Sequence, residues 1–179
     1  LLNISMFLTS RTRGGPAHAA IVASSLFGTM SGSTVANVVG TGTFTIPLTK
    51  ERGFKPEFAG GIEATASSGG QIVPPIMGAA AFLMAELTEI SYLTIAIAAF
   101  VPAFLYYLSL FISVVIEAKK SKIEVDQSRT FSVTRQTMLD AMMFVAPIVV
   151  IVTVLVMGRS APNAGFFGII TAFIFGFIN

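Results

Sequence analysis

Two short stretches carry the side chains able to do chemistry. Residues 29–37 read TMSGSTVAN, and residues 63–78 read EATASSGGQIVPPIMG. Both place hydroxyl and amide groups beside glycine inside otherwise apolar sequence. With no Cys and a single His in the chain, thiolate sites and cysteine nucleophiles are excluded. Oxygen-rich sets of this kind suit a hard cation such as Na⁺, which needs no full carboxylate. In the first stretch Gly32 permits a tight turn, and the hydroxyls of Ser31, Ser33 and Thr34 can cap helix ends. In the second, Gly69 and Gly70 loosen the backbone while Pro74 and Pro75 remove two donors, so carbonyls near Ala66 to Ser68 and at Gln71 are expected to lose their helical partners. The expected ligands of substrate and ion are Ser31, Gly32, Ser33, Thr34 and Asn37 from the first stretch, and Thr65, Ser67, Ser68, Gly69 and Gly70 from the second. Ser33 and Ser67 head the expected Na⁺ set. Helix N-termini at the same breaks carry partial positive charge and suit an anion without any Lys or Arg. The plain alternative is that these hydroxyls only cap helices.

Such groups need elements that hold them inside an apolar medium. Hydrophobic residues make up 54% of the 179 and charged residues 11%, with a mean hydropathy of +0.81. These values lie outside the range of soluble domains and indicate a multi-pass, all-α membrane protein. Sixteen Gly and eight Pro point to interrupted helices rather than plain anchors. The net charge of +2 is small and its basic residues fall between apolar runs, so they bear on membrane orientation and not on nucleic acid. No short apolar segment with a cleavage site opens the chain, and its last residues stop inside an apolar run; it reads as a piece of a longer protein.

Charge placement sets the expected topology. No Lys or Arg occurs between Lys55 and Lys119, which leaves room for two crossings of about 20 apolar residues each, at 58–85 and 92–116, joined by an acidic turn with Glu86 and Glu89. The loop 117–136 contains Lys119, Lys120, Lys122, Arg129 and Arg135 and is cytoplasmic by the positive-inside rule. A further crossing is expected at 137–157 and another, cut off, at 165–179. The same rule places Arg11, Arg13 and the basic loop after Thr49 inside, so the uncharged run 14–49 begins and ends on one side. As one straight helix that run would be about 54 Å long, against a hydrocarbon core of about 30 Å. It is therefore expected as a re-entrant helical hairpin with arms near 17–30 and 34–46, each reaching about half way. The crossing 58–85 is expected as a broken transmembrane helix. Broken helices at the midplane are how secondary transporters build their sites.

The segment GTMSGSTVANVVGTGTFTIPLTKERGFKPEFAGGIEATASSGGQIVPPIMGAAAFLMAE resembles the large membrane subunit of tripartite ATP-independent periplasmic (TRAP) transporters, in particular the fused permeases that work with TAXI-type binding proteins. The SGS tip, the Ile-Pro before a basic loop, the TASSGG break and the PPIMGAAAF run occur in order, and the likeness covers nearly all of 1–179. The resemblance implies an elevator-type transport domain built of two inverted repeats, of which this chain holds one hairpin and its partner helix. It also implies Na⁺-driven import of an organic acid across the bacterial inner membrane, with Na⁺ as coupling ion and no other cofactor. The implied partners are a periplasmic TAXI-type substrate-binding protein and a small membrane subunit, fused in full-length members of this type.

Other polar residues weigh less. Glu63 lies about 9 Å along a helix from Glu57, near enough to the surface to be hydrated, and reads equally as interfacial filler or as support for an ion site. His18, alone of its kind, reads as structural, as does Asp140 at a helix start. An ATP-driven importer permease is a rival reading, because EATASSG is similar to the Glu-Ala-Ala coupling loop of such proteins. In that loop, however, the Ile-x-Leu-Pro comes well after the Gly, whereas here Ile72 and Pro74 follow Gly69 almost at once. A channel with a re-entrant loop would account for the hairpin but not for the second break. A purely structural subunit has no reason to keep two broken helices, and no acid pair, His base or metal-ligand cluster suggests an enzyme.

Overall fold

The computed structural model describes residues 2–9, 12, 14–123 and 135–178, with their side chains apart from those of Asn3, 135–140, 177 and 178. Arg11, Arg13, residues 124–134 of the expected cytoplasmic loop and the side chain of Asp140 lie outside the described residues. Among the described residues all regular structure is helical: α1 (Leu2–Thr9), α2 (Gly15–Ser31), α3 (Thr34–Glu51), α4 (Pro56–Gly69), α5 (Ala79–Thr88), α6 (Tyr92–Lys120), α7 (Arg135–Val156) and α8 (Ala161–Ile178).

Local sequence explains the boundaries around the hairpin. Pro16 occupies the first turn of α2, where a missing N–H costs nothing. The helix ends on Gly32, which takes the left-handed conformation at φ 57° and donates its N–H to the Gly28 carbonyl at 3.1 Å. Ser33 is extended and caps α3, its Oγ accepting from the Ala36 N–H at 3.3 Å. Two residues therefore suffice to reverse the chain. Pro56 starts α4 in the same way that Pro16 starts α2.

The helices α2, α3 and α4 pack on one another, and α6 covers α2 and α4; α7 and α8 pair mainly with each other. The shared core joins Ala17 and Ile21 of α2, Ile62 and Ala66 of α4, and Leu110 and Val114 of α6. Small residues along the buried side of α2, from Gly15 through Ala19, Ala20, Ala23 and Ser24 to Gly28, let backbones approach closely, as is usual between helices in lipid. The hairpin arms are longer than the half-depth arms expected from sequence: 17 and 18 residues correspond to about 25 and 27 Å.

Outer surfaces are apolar. Ile97, Phe100, Val101, Phe104 and Leu105 of α6 and Phe166, Ile169 and Phe173 of α8 are all more than half exposed, which a water-facing surface would not tolerate. The 29-residue α6, with a mean hydropathy of 2.2 over its apolar 18-residue window, is long and apolar enough to cross a membrane; α5 and the stretches Ala141–Val156 and Ala161–Gly176 are apolar but shorter.

Candidate functional site

The tip of the α2–α3 hairpin is seated on the break after α4. Beyond Gly69 the chain makes one 3-10 turn, Gly70–Ile72, is extended at Val73 and turns again at Pro74, Pro75 and Ile76 before α5 begins after Gly78. Gly28 and Gly70 meet backbone to backbone: a Cβ on Gly28 would fall 2.4 Å from the Gly70 Cα. One on Gly32 would fall 2.0 Å from the Met77 carbonyl oxygen. The Ile76 N–H donates to the Thr29 carbonyl at 3.3 Å, and Gln71 Nε2 donates to Thr34 Oγ1 at 2.7 Å. Only glycine allows contacts this close, and together they hold the two interruptions in register.

Four helix ends meet here. The N-terminal ends of α3 and α5 adjoin, since a Cβ on Gly78 would lie 3.3 Å from the Gly32 carbonyl oxygen, and they bring two positive dipole ends together. The C-terminal ends of α2 and α4 meet through Gly28 and Gly70 and bring carbonyls. No Asp, Glu, Lys or Arg occurs between Glu63 and Glu86, or anywhere from Gly14 to Thr49.

The expectation that the break frees carbonyls near residues 66–68 and 71 is not met. Tyr106 donates its hydroxyl to the Thr65 carbonyl and Tyr107 to that of Ala66, each at 2.8 Å. The Gly70 N–H reaches the Ser67 and Ser68 carbonyls, and the Gly78 N–H donates to the Gln71 carbonyl at 2.7 Å. A backbone break in an apolar setting leaves costly unpaired groups, and α6 supplies two tyrosines that cover them. Gly69 packs against these rings, with a Cβ there only 2.4 Å from Tyr106 Cε1.

The predicted site residues therefore divide. Ser31, Gly32, Ser33 and Thr34 gather at the tip. Asn37 and Gly70 lie just inside it, Asn37 Nδ2 being 3.0 Å from a Cβ built on Gly70 and donating to the Ser24 carbonyl at 2.8 Å. Thr65 and Ser68 are exposed and bond back to the carbonyls of Gly61 and Ala64 on their own helix. Ser67 turns the other way, into a second polar cluster that the tip residues do not reach.

That second cluster surrounds Glu63, which is completely buried. Its Oε1 accepts from Ser24 Oγ at 2.9 Å, from Ser67 Oγ at 3.3 Å and from Thr41 Oγ1; its Oε2 accepts from Thr45 Oγ1 at 2.5 Å. Three helices thus converge on one carboxyl. The reading of Glu63 as an interfacial residue close to water is corrected: depth counted along α4 ignores α2 and α3, which enclose it. A sequence signal for the cluster exists in Asn37, Thr41, Thr45 and Thr49, spaced by four and all buried, forming one polar stripe down α3. His18 is held by structure, its ring nitrogens reaching Thr12 Oγ1 at 2.8 Å and the Phe111 carbonyl at 3.2 Å, and it stacks on Phe111.

An apolar-surfaced, all-helical protein with a hairpin tip packed on a helix break has the architecture of an integral membrane protein. Comparison with known families is specific: the model of the tripartite ATP-independent periplasmic transporter DctM component matches residues 1–179, and the chain belongs to this family. Similar proteins include the large permease protein DctM of a C4-dicarboxylate TRAP transporter from Pseudomonas aeruginosa, 32% identical over 69% of this chain and 28% of that protein. The sialic acid TRAP transporter permease protein SiaT of Haemophilus influenzae is 33% identical over 62% of this chain and 18% of its own length. The ectoine/5-hydroxyectoine large permease protein UehC of Ruegeria pomeroyi is 33% identical over 54% and 22%. The chain spans less than a third of the length of these relatives.

Proposed function

We propose that this chain forms half of the substrate and ion site of a secondary active permease that imports an organic acid, driven by Na⁺, across the bacterial inner membrane. The observation that carries this reading is the seating of the hairpin tip on the α4–α5 break, which assembles four helix ends without a charged side chain. The paired N-termini of α3 and α5 favour a carboxylate, while the hydroxyls of Ser31, Ser33 and Thr34 at the tip favour Na⁺. In this reading α2 and α3 form a re-entrant hairpin within an elevator-type domain. A periplasmic binding protein, of the TAXI type, delivers the substrate, and a small membrane subunit completes the permease. Relatives named for C4-dicarboxylate and sialic acid support an acidic substrate.

The test is uptake of candidate organic acids into proteoliposomes holding the full-length protein that contains this chain, with its binding protein outside and an inward Na⁺ gradient. Uptake should need both sodium and the binding protein. Ser33→Ala should lower it strongly and Ser33→Thr, which keeps both cap and hydroxyl, should restore most of it. Sodium-independent uptake would sink the coupling proposed here.

A further inference from the structure

On its α5 side the break opens into an apolar cavity of about 490 Å³, a volume within the range of small-molecule sites, to which the reading above gives no role. The floor is the seam between α5 and α6, where Met77 and Ala81 meet Ile95 and Ala99. The rims carry small exposed side chains, Ala80 on one and Ala98 on the other. Along α6 the cavity runs from Thr94 to Pro102, about 12 Å at 1.5 Å per residue.

Two residues join this cavity to the hairpin tip. Gln71 lines it and also donates its amide to Thr34 Oγ1 at 2.7 Å. Met77 lies in the floor, while its carbonyl oxygen is the atom against which Gly32 is packed. Met77 holds φ at 58°, a conformation that residues other than glycine seldom adopt and that clusters where ligands are bound. The cavity therefore begins where the N-termini of α3 and α5 come together. It does not belong to the outer surface of α6: Ile97, Phe100, Val101 and Phe104, the exposed apolar residues there, take no part in its lining.

The lining decides what can enter. It has no charged side chain, and its two polar residues are engaged, Gln71 with Thr34 and the Thr94 hydroxyl with Ser91 Oγ at 2.7 Å. A second carboxylate or a set of sugar hydroxyls would lose its water here without matching partners, whereas a hydrocarbon gains by leaving water. We propose that this cavity holds the hydrocarbon body of the transported acid, which makes the substrate a monocarboxylate with an apolar alkyl or aryl body and not a dicarboxylate or a sugar acid. This assignment rests on the permease reading for the seat of the carboxylate, at the N-termini of α3 and α5. The length agrees: an eight-carbon chain, with zigzag bonds of about 1.5 Å, spans about 9 Å. Met77 and Met84, with flexible and polarisable thioethers, can follow a straight or an aromatic body.

The test is equilibrium binding of radiolabelled octanoate to the full-length protein in lipid nanodiscs and Na⁺ buffer, with binding to protein-free discs subtracted, and competition by butyrate, hexanoate, succinate and 1-octanol. Binding should be saturable, and affinity should rise about fourfold for each CH₂ added between butyrate and octanoate. Succinate, which adds a second charge, and 1-octanol, which keeps the body without the carboxylate, should compete far more weakly. Ala98→Phe, which narrows the cavity from an exposed position, should shrink the preference for octanoate over butyrate about tenfold or more; Ala80→Phe does the same from the opposite rim if the first variant does not fold. Absence of saturable octanoate binding, affinity indifferent to chain length, or succinate binding as well as octanoate would overturn the proposal. A preference unchanged in both phenylalanine variants would place the body elsewhere and also refute it. Equal competition by 1-octanol would make the cavity a groove for lipid chains and not a substrate site. Uptake into proteoliposomes separates this result from the permease reading. Sodium-driven uptake of succinate with no effect of chain length on binding refutes the proposal and keeps the permease. Binding graded by chain length and lost in the phenylalanine variants, with no acid taken up, sinks the permease reading and leaves the cavity assigned.

Discussion

Replacing Gly28 by Ala tests the contact on which the seating of the tip depends. The added Cβ would lie 2.4 Å from the Gly70 Cα and 3.2 Å from its carbonyl carbon. Carbon atoms in contact need about 3.5 Å, so α2 and the break must separate by about 1 Å. The obstacle is backbone and cannot rotate away, which puts the cost at the upper end of the range for overpacked cores, about 3 kcal/mol. Alanine returns about 0.8 kcal/mol of helix propensity, leaving a net loss of about 2 kcal/mol. Gly60→Ala provides the comparison: it sits in α4 with nothing within 4 Å of its Cβ, so it should gain that propensity without penalty. The two alanine variants should then differ by about 3 kcal/mol in equilibrium unfolding of the full-length protein in mild detergent. If Gly28→Ala proves as stable as Gly60→Ala, the close approach of α2 to the break is wrong, and with it the geometry assigned to the site.

Tyr107→Phe removes the donor to the Ala66 carbonyl on the buried side and should cost about 1 kcal/mol, whereas Tyr106→Phe, whose hydroxyl is more exposed, should cost less; thermal melts of the two variants check the order. Gln71→Ala breaks the exposed bridge to Thr34 and should change stability by less than about 0.5 kcal/mol while raising the substrate concentration needed for half-maximal uptake. Nitroxide labels at Phe100 or Phe104, on the exposed side of α6, should collide freely with oxygen dissolved in lipid, and a label at the fully buried Val114 should not; equal accessibility would remove α6 from the lipid boundary.

Much of the fold can be read from residue type alone. Gly32 followed by Ser33 marks a reversal in an uncharged run, and paired glycines before paired prolines mark a break, because both depend on local backbone preferences. Glu63 shows where that kind of reading stops: apart from Ser67 on its own helix, its partners come from residues 18 to 39 positions away, and only the four-residue spacing of Asn37, Thr41, Thr45 and Thr49 hints at a polar face turned inward. The tyrosines that cover the carbonyls of the break lie 41 positions from them and carry no local sign of that role. Composition identified a membrane protein but overestimated the freedom of its backbone oxygens, since it could not show which side chains return to them.

The polar stripe of α3 also bears on how the protein is made. Val35, Val39 and Phe44 on its outer side are exposed and apolar, while Asn37, Thr41, Thr45 and Thr49 are buried. When the hairpin has just emerged from the ribosome, the carboxyl that gathers those hydroxyls is still to be synthesised, and hydrocarbon offers nothing in its place. Until α4 arrives, Thr41 and Thr45 have only the carbonyls of Asn37 and Thr41 on their own helix to bond to, and the arrival of Glu63 ties the hairpin to α4. A substitution at Glu63 would then be felt first in assembly, as a hairpin that α4 no longer ties in place.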